Sequence, residues 1–243
     1  MVDSMLCLQS ADGASSGFMV LVGISVLVVL IGVSVATVLV LIRRQARQRA
    51  EAFVEVLGSQ FAGADLEFDP EDSLGRCVRL QEFKVGSAGG RRKMRNVISG
   101  VWKGREVLCC DYRYVIGHGK HQRAYSQTIM MMSLAPSFPS FVLGPEGFFA
   151  KIAQTFGASD IDFPTHPEFS KSYVLKGKDE EAVRAAFSFD LLEYFEGQLG
   201  LTLESHDGLL LFYRVNKRCK PTALEAFLEE GFEVRDALGG KFP

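Results

Sequence analysis

The stretch FMVLVGISVLVVLIGVSVATVLVLI, residues 18–42, contains 25 residues without a charge, and Arg43 and Arg44 follow it directly. At about 1.5 Å of rise per residue, a helix of this length reaches roughly 37 Å, against a hydrocarbon core of about 30 Å. Lipid supplies no hydrogen-bond partners, so the backbone must bond within a helix despite the many valines. The stretch therefore predicts a single transmembrane helix.

A cleaved secretory signal and a buried core helix are the alternatives. A secretory signal has a basic leading region and an apolar run of about 7–15 residues before a small-residue cleavage site. Here the leading region carries Asp3 and Asp12 but no Lys or Arg, and the run is longer and ends in arginines. A core helix is rarely apolar on every side over such a length. We therefore expect an uncleaved anchor.

Basic residues predict how this anchor is oriented. The leading residues have none, whereas four arginines follow the run: Arg43, Arg44, Arg47 and Arg49. Because positive charge stays on the cytoplasmic side, residues 1–17 should form a short polar extracytoplasmic tail. The rest of the chain should lie in the cytoplasm, at the inner face of the cell membrane.

Small residues along the run suggest a helix-dimer face. Gly32 and Ala36 have small-xxx-small spacing, and Ser25 lies one heptad earlier on roughly the same side. Small residues are also common in membrane helices that do not pair. Residues 43–64 continue a helical pattern with an apolar stripe, which either packs on the following domain or pairs with another copy: Ala46, Ala50, Phe53, Leu57 and Phe61.

Composition limits what the rest of the chain can be. The 19 phenylalanines indicate a globular domain, and a net charge of −2 gives no sign of a broadly basic nucleic-acid-binding surface. The five cysteines include no Cys-x-x-Cys pair and no zinc-ligand spacing. The neighbours Cys109 and Cys110 should point to opposite faces of a strand and serve packing.

Strand and helix patterns occur in segregated runs, which is typical of an α+β fold with an antiparallel sheet. We expect a connector and first strand over 65–95, the strand itself at 76–85, and an α+β domain over 96–243, possibly of two small subdomains. Further strands are predicted at 96–102, 105–116, 123–134, 140–143, 171–175, 201–205 and 209–215. Helices are predicted at 144–156, from Asp179, around 191–199 and at 221–238.

Polar clusters supply the candidate sites. The basic run RRKMR, residues 91–95, is either a solvated loop or a contact for anionic lipid headgroups. His118 and His121 lie in a hairpin turn with Lys120 between them, which favours an exposed loop over a metal site. Metal-ligating residue types also occur at Asp160, Asp162 and His166, where two carboxylates and an imidazole could bind a hard cation.

Two segments carry a resemblance to known proteins. They are GVWKGREVLCCDYRY, residues 100–114, and HPEFSKSYVLKGKDEEAVRAAF, residues 166–187, followed by the hairpin at 201–215. Together they resemble uncharacterised bacterial single-pass membrane proteins with a cytosolic α+β domain of unknown function. The resemblance spans about residues 100–240 and implies a bacterial, membrane-anchored domain, but it brings no catalytic residues.

The sequence contains no nucleophile elbow, dinucleotide-binding fingerprint or phosphate-binding loop and predicts no cofactor. We therefore expect a non-enzymatic, membrane-anchored module that binds a protein partner or ligand at the inner membrane face, without nucleic acid. One alternative is a membrane-bound hydrolase or metalloenzyme using Asp160, Asp162 and His166. Another is a homo-oligomeric scaffold that associates through Ser25, Gly32 and Ala36.

Overall fold

The computed structural model describes residues 3–147, 160–198 and 200–238. The chain forms two compact units, Met1–Glu51 and Ala52–Pro243. The helices are α1 (Asp3–Gln60), α2 (Lys84–Ser87), α3 (Pro167–Ser172), α4 (Glu180–Ala186), α5 (Phe189–Glu196) and α6 (Leu224–Leu238). Short 3-10 helices lie at Arg76–Glu82, Gly119–His121 and Pro221–Ala223.

The first unit contains helix α1 as far as Glu51, and the last residues of the helix belong to the second unit. The segment Leu21–Gln60 of this helix is long and apolar enough to cross a membrane. None of the most apolar part of this segment is buried in protein, unlike the helix of a soluble core. Its hydroxyl groups bond to carbonyls four residues earlier, as expected where lipid offers no partner: Ser25 to Leu21 (2.9 Å), Ser34 to Leu30 (2.8 Å) and Thr37 to Val33 (2.8 Å). The helix already includes residues 3–17, which the sequence assigns to a separate polar tail.

The second unit is built on one eight-stranded antiparallel sheet, so the fold is α+β as predicted. The strands are β1 (Asp65–Asp69), β2 (Gly90–Trp102), β3 (Arg105–Ile116), β4 (Arg123–Ser133), β5 (Phe141–Pro145), β6 (Tyr173–Gly177), β7 (Leu201–His206) and β8 (Leu209–Arg214). Their spatial order is β1-β2-β3-β4-β8-β7-β5-β6. Because β4 pairs with β8, the two halves of the sequence share one sheet and do not form two subdomains.

Helices cover the first face of the sheet. Residues of the last two turns of α1 and the residue that follows it, Phe53, Val56 and Phe61, are buried there together with side chains of α5 and α6. Phe53 and Phe61 of the apolar stripe predicted over 43–64 therefore pack on the domain that follows in the same chain. The single tryptophan, Trp102, stacks on Phe232 at 6.1 Å between ring centroids.

The second face has a shorter cover, the segment 76–87, which consists of the first 3-10 helix and α2. Leu80, Phe83 and Val85 from this covering segment are buried against the sheet. Cys110 belongs to this face and Cys109 to the opposite one, and both are buried, which confirms their predicted packing role.

The predicted strand at 76–85 is wrong, because this region is helical. Cys77, Leu80 and Phe83 recur at a spacing of three and pack on the second face, which is the period of a 3-10 helix. The first strand is instead β1, within the predicted connector. There Leu66 and Phe68 alternate with acidic residues and pack against the core of the first face. This alternation has the period of two of a strand, but the acidic composition of the segment concealed it.

Three further boundaries differ from the predictions. The basic run 91–95 belongs to β2 and is not a loop, since Met94 points into the core. Gly144 and Pro145 end β5, and helical residues begin only at Glu146. The predicted strand at 171–175 starts only at Tyr173, after α3. The body of the helix predicted over 144–156 lies outside the described residues from position 148.

The hairpin predicted around Asp207 and Gly208 is confirmed. Both residues have positive φ, 46° and 70°, as the tight turn between β7 and β8 requires. The predicted helix from Asp179 is also confirmed: the Asp179 carboxylate accepts a hydrogen bond from the Ala182 N–H at 3.0 Å.

Candidate functional site

The carboxylates and the histidine proposed as metal ligands have separate structural roles. Asp160 accepts a hydrogen bond from the Leu175 N–H at 3.0 Å, and partial burial raises the pKa of its carboxyl. His166 is buried, with its Nδ1 3.0 Å from the Thr165 hydroxyl and its ring 4.4 Å from that of Phe189.

Asp162 completes the predicted set, but it is exposed, and its backbone carbonyl accepts a hydrogen bond from Arg184 at 2.6 Å. Within the described ranges, no group of three or more His, Cys, Asp and Glu side chains is arranged to hold a metal ion. The structure therefore does not bring Asp160, Asp162 and His166 together as ligands.

The remaining candidates lie on exposed surfaces. His118 lies just before the 3-10 turn between β3 and β4, and His121 is the last residue of that turn; both are exposed, as the sequence predicts. Ser25, Gly32 and Ala36 are exposed on α1, so a dimer face there stays a prediction. The same holds for the orienting role of the basic residues on α1: Arg43, Arg44, Arg47 and Arg49.

A different site lies where the covering segment leaves the second face of the sheet open. A cavity of about 270 Å³ crosses β2, β3, β4 and β8 near the turn that joins β2 to β3. Apolar side chains of the second face line its floor: Val101, Leu108, Met131 and Leu209. Arg76 and Arg79 of the covering segment line its wall, and Glu106 lines it from β3.

A second cavity, of about 190 Å³, continues in the same direction across β7, β5 and the end of β6. Phe83 and Lys84 of the covering segment line it, with Val142 and His206 from the sheet. The two cavities have no lining residue in common, but they are neighbours on the second face, since Leu209 of the first pairs with His206 of the second. We call the two cavities together the trough.

Helix geometry explains the charged wall of the trough. Arg76, Arg79 and Glu82 are three residues apart, and side chains at this spacing eclipse in a 3-10 helix. They therefore form one row, each lining one of the two cavities. Arg76 contacts Asp69 at 3.5 Å, whereas the exposed Arg79 side chain has no ion pair or hydrogen bond within residues 3–147, 160–198 and 200–238.

Glu204 on β7 fixes the covering segment beside the trough. Its carboxylate is buried and accepts hydrogen bonds from the N–H groups of Lys84 and Val85, the latter at 3.0 Å. The Tyr213 hydroxyl donates a third bond at 2.6 Å. Burial raises the pKa of Glu204, and these three donors oppose that shift.

The trough was not predicted from the sequence, because its lining comes from strands far apart in the chain, from Val101 to Leu209. One local signal was present. Arg76 and Arg79 are three residues apart, and so are the apolar residues Cys77 and Leu80 that follow each of them. This spacing indicates an amphipathic 3-10 helix with a charged row on one side.

Comparison with known proteins finds a structural neighbour. The fold matches the crystal structure of the mycobacterial trehalose monomycolate transport factor A, TtfA, with a TM-score of 0.52 and 12% sequence identity. The match covers 81% of this chain and 94% of that chain. No protein-family model and no curated protein sequence matches this chain. At this identity the likeness shows a shared fold.

Proposed function

We propose that this chain is a membrane-anchored module with a transport-related role, and that its trough binds an amphiphilic ligand at the inner face of a bacterial membrane. The helix that is long enough to span a bilayer supports the anchor, and the arginines after residue 42 support the cytoplasmic side. The fold shared with a protein named as a transport factor supports the transport-related role.

The observation that carries the proposal is the combination of an apolar floor with an unpaired cation. Val101 on that floor is 38% exposed, and Arg79 stands at the wall without a partner among the described residues. A ligand with an apolar body and an anionic group would desolvate the floor and pair with Arg79.

An acyl chain suits the trough better than a peptide. The trough runs across the strands, over a floor whose backbone groups are paired within the sheet. A peptide laid in this direction would find few backbone partners, and unpaired amides are costly to bury. An acyl chain has no groups to satisfy. The cavity volumes of about 270 and 190 Å³ suit a narrow occupant rather than a helix of about 10 Å diameter.

Native mass spectrometry of the intact protein, extracted from membranes in mild detergent, tests this proposal. We expect a co-purifying anionic amphiphile on the wild-type protein and its loss in Arg79→Glu and Val101→Glu. The matched control Lys171→Glu reverses a charge at a side chain that is 77% exposed, away from the trough, and should keep the ligand. Equal ligand occupancy in all four proteins would contradict the proposal.

A further inference from the structure

The opposite end of the sheet from the trough carries a concentration of positive charge that the net charge of −2 conceals. Three segments meet there: residues 90–95 at the start of β2, residues 113–123 around the β3–β4 turn, and residues 215–220 after β8. These segments contain no Asp or Glu. The exposed basic residues, which we call the basic end, are Arg91, Arg92, Lys93, Arg113, Lys120, Arg123, Lys217, Arg218 and Lys220.

Hydrogen bonds hold these three segments together. Arg91 donates to the Gln122 side chain at 3.4 Å, which joins the start of β2 to the β3–β4 turn. The Thr128 N–H donates to the Lys217 carbonyl at 3.1 Å, which joins the segment after β8 to β4. The basic end is thus one surface, assembled from parts of the chain more than 100 residues apart.

This arrangement works against folding unless something neutralises it. Lys93 and Arg113 lie directly opposite each other on paired strands, and like charges in that position are destabilising. The Glu71 carboxylate offsets part of this repulsion, since it lies 3.6 Å from the Lys93 ammonium and 3.2 Å from the Arg95 guanidinium. An unfavourable cross-strand pair that one carboxylate relieves only in part, among segments without Asp or Glu, is the pattern expected where an anionic partner binds.

We propose that the basic end binds the anionic lipid headgroups of the membrane that holds α1. Headgroups require only charge at short range, which exposed Lys and Arg side chains supply. The segment from Ile42 to Ala52 spans at most roughly 35 Å even when fully extended, so a helix in the bilayer keeps the second unit close to the surface. This tether raises the effective concentration of headgroups at the basic end.

A nucleic acid fits this surface less well. Single-stranded nucleic acids are bound by stacking bases on exposed aromatic rings. The aromatic side chains of this end, Tyr114 and Tyr125, are buried against each other at 5.3 Å between centroids. Among the described residues of the basic end, no Phe, Tyr or Trp ring is exposed for stacking, and the exposed rings are the small imidazoles of His118 and His121.

Hydrogen exchange of the intact protein in nanodiscs tests this inference, which does not depend on a ligand in the trough. We expect the amides around Lys120 and Lys217 to gain protection in anionic discs over neutral phosphatidylcholine discs. Each removed positive charge should weaken headgroup binding roughly five-fold, and added salt should weaken it further. Protection should therefore vanish in the double variant Lys120→Glu/Lys217→Glu.

The double variant Lys103→Glu/Lys171→Glu is the matched control, since it makes the same charge change at exposed residues outside both the basic end and the trough. It should keep the dependence on anionic lipid. Equal protection in neutral and anionic discs would overturn the inference. A second result would also overturn the inference: anionic discs give no added protection, while a short RNA binds the protein in neutral discs and Lys120→Glu/Lys217→Glu abolishes that binding.

Discussion

The two faces of the sheet differ in how completely they are covered. On the first face, α5, α6 and the end of α1 bury the core, and Leu228 of α6 is fully buried. On the second face, the covering segment 76–87 leaves Val101 38% exposed on the trough floor. Cover by long helices provides stability, whereas the incomplete cover leaves a surface free for a ligand. Substitutions on the two faces should therefore have different consequences.

The largest effect is expected on the first face. Leu228→Ala should lower the free energy of unfolding by about 2–5 kcal/mol, because it leaves a cavity in a closed core. Val101→Ala on the trough floor should cost well under 1 kcal/mol, because the side chain is already partly in water. The single Trp102 is buried in the first-face core, so its fluorescence reports unfolding of the second unit in detergent. Equal losses in the two variants would remove the distinction between the faces.

The cover of the second face depends on Glu204. Glu204→Gln should cost about 1–3 kcal/mol, because an amide cannot accept all three hydrogen bonds of the carboxylate. The covering segment should then lose hydrogen-exchange protection at Lys84 and Val85, while α6 keeps its own. Loss of protection in α6 alone would contradict this role.

Glu204 should also give the stability a dependence on pH. Its native pKa is raised above the ordinary value of 4.5, so the folded protein holds this proton more tightly than the unfolded chain. The stabilisation that the protonated Glu204 side chain gives the folded state is complete below pH 4.5 and is lost as the pH rises through its native pKa. Denaturation of the wild-type protein across this window should show the decline, and Glu204→Gln should lack it.

Helix packing on the first face gives a third comparison, between two glycines. A Cβ at Gly231 in α6 would lie 2.4 Å from the Met130 sulfur, whereas one at Gly58 in α1 would meet nothing within 4 Å. Gly231→Ala should therefore destabilise the protein by about 1–3 kcal/mol. Gly58→Ala should stabilise it by roughly 0.5–1 kcal/mol, through helix propensity. The opposite signs can be read from the same Trp102 unfolding curves.

The smallest effect on stability is expected at the trough wall. Arg79→Glu should change the free energy of unfolding by no more than about 0.5 kcal/mol, because Arg79 is exposed and has no partner among the described residues. The same variant should lose the amphiphile. A large stability loss would mean that Arg79 supports the fold rather than a ligand.

The sequence predicts features that depend on neighbouring residues. The apolar run 18–42, the Asp207–Gly208 turn and the Asp179 cap follow from local composition and hydrogen bonding, and the structure has all three. The strand β1 and the 3-10 helix were missed because five to seven residues carry a weak periodic signal. The acidic residues of β1 further concealed its alternation.

The trough could not be predicted, and the sequence singles out only residues 91–95 of the basic end, since both surfaces depend on the strand order. Pairing of β4 with β8 brings Ser133 next to Leu209, and both residues line the first cavity of the trough although they are far apart in sequence. Such long-range register leaves no local pattern. The metal site hypothesised at Asp160, Asp162 and His166 shows that closeness in sequence does not guarantee a site either, because these side chains are not arranged to hold a metal ion.

Photo-crosslinking tests the central proposal, a ligand in the trough, most directly. The intact protein in nanodiscs would be loaded with an anionic amphiphile that carries a diazirine on its acyl chain. The account predicts crosslinked peptides containing Val101, Leu108 or Met131 in addition to the α1 segment that any lipid would label, and their loss in Arg79→Glu. Labelling confined to α1, unchanged by Arg79→Glu, would contradict it.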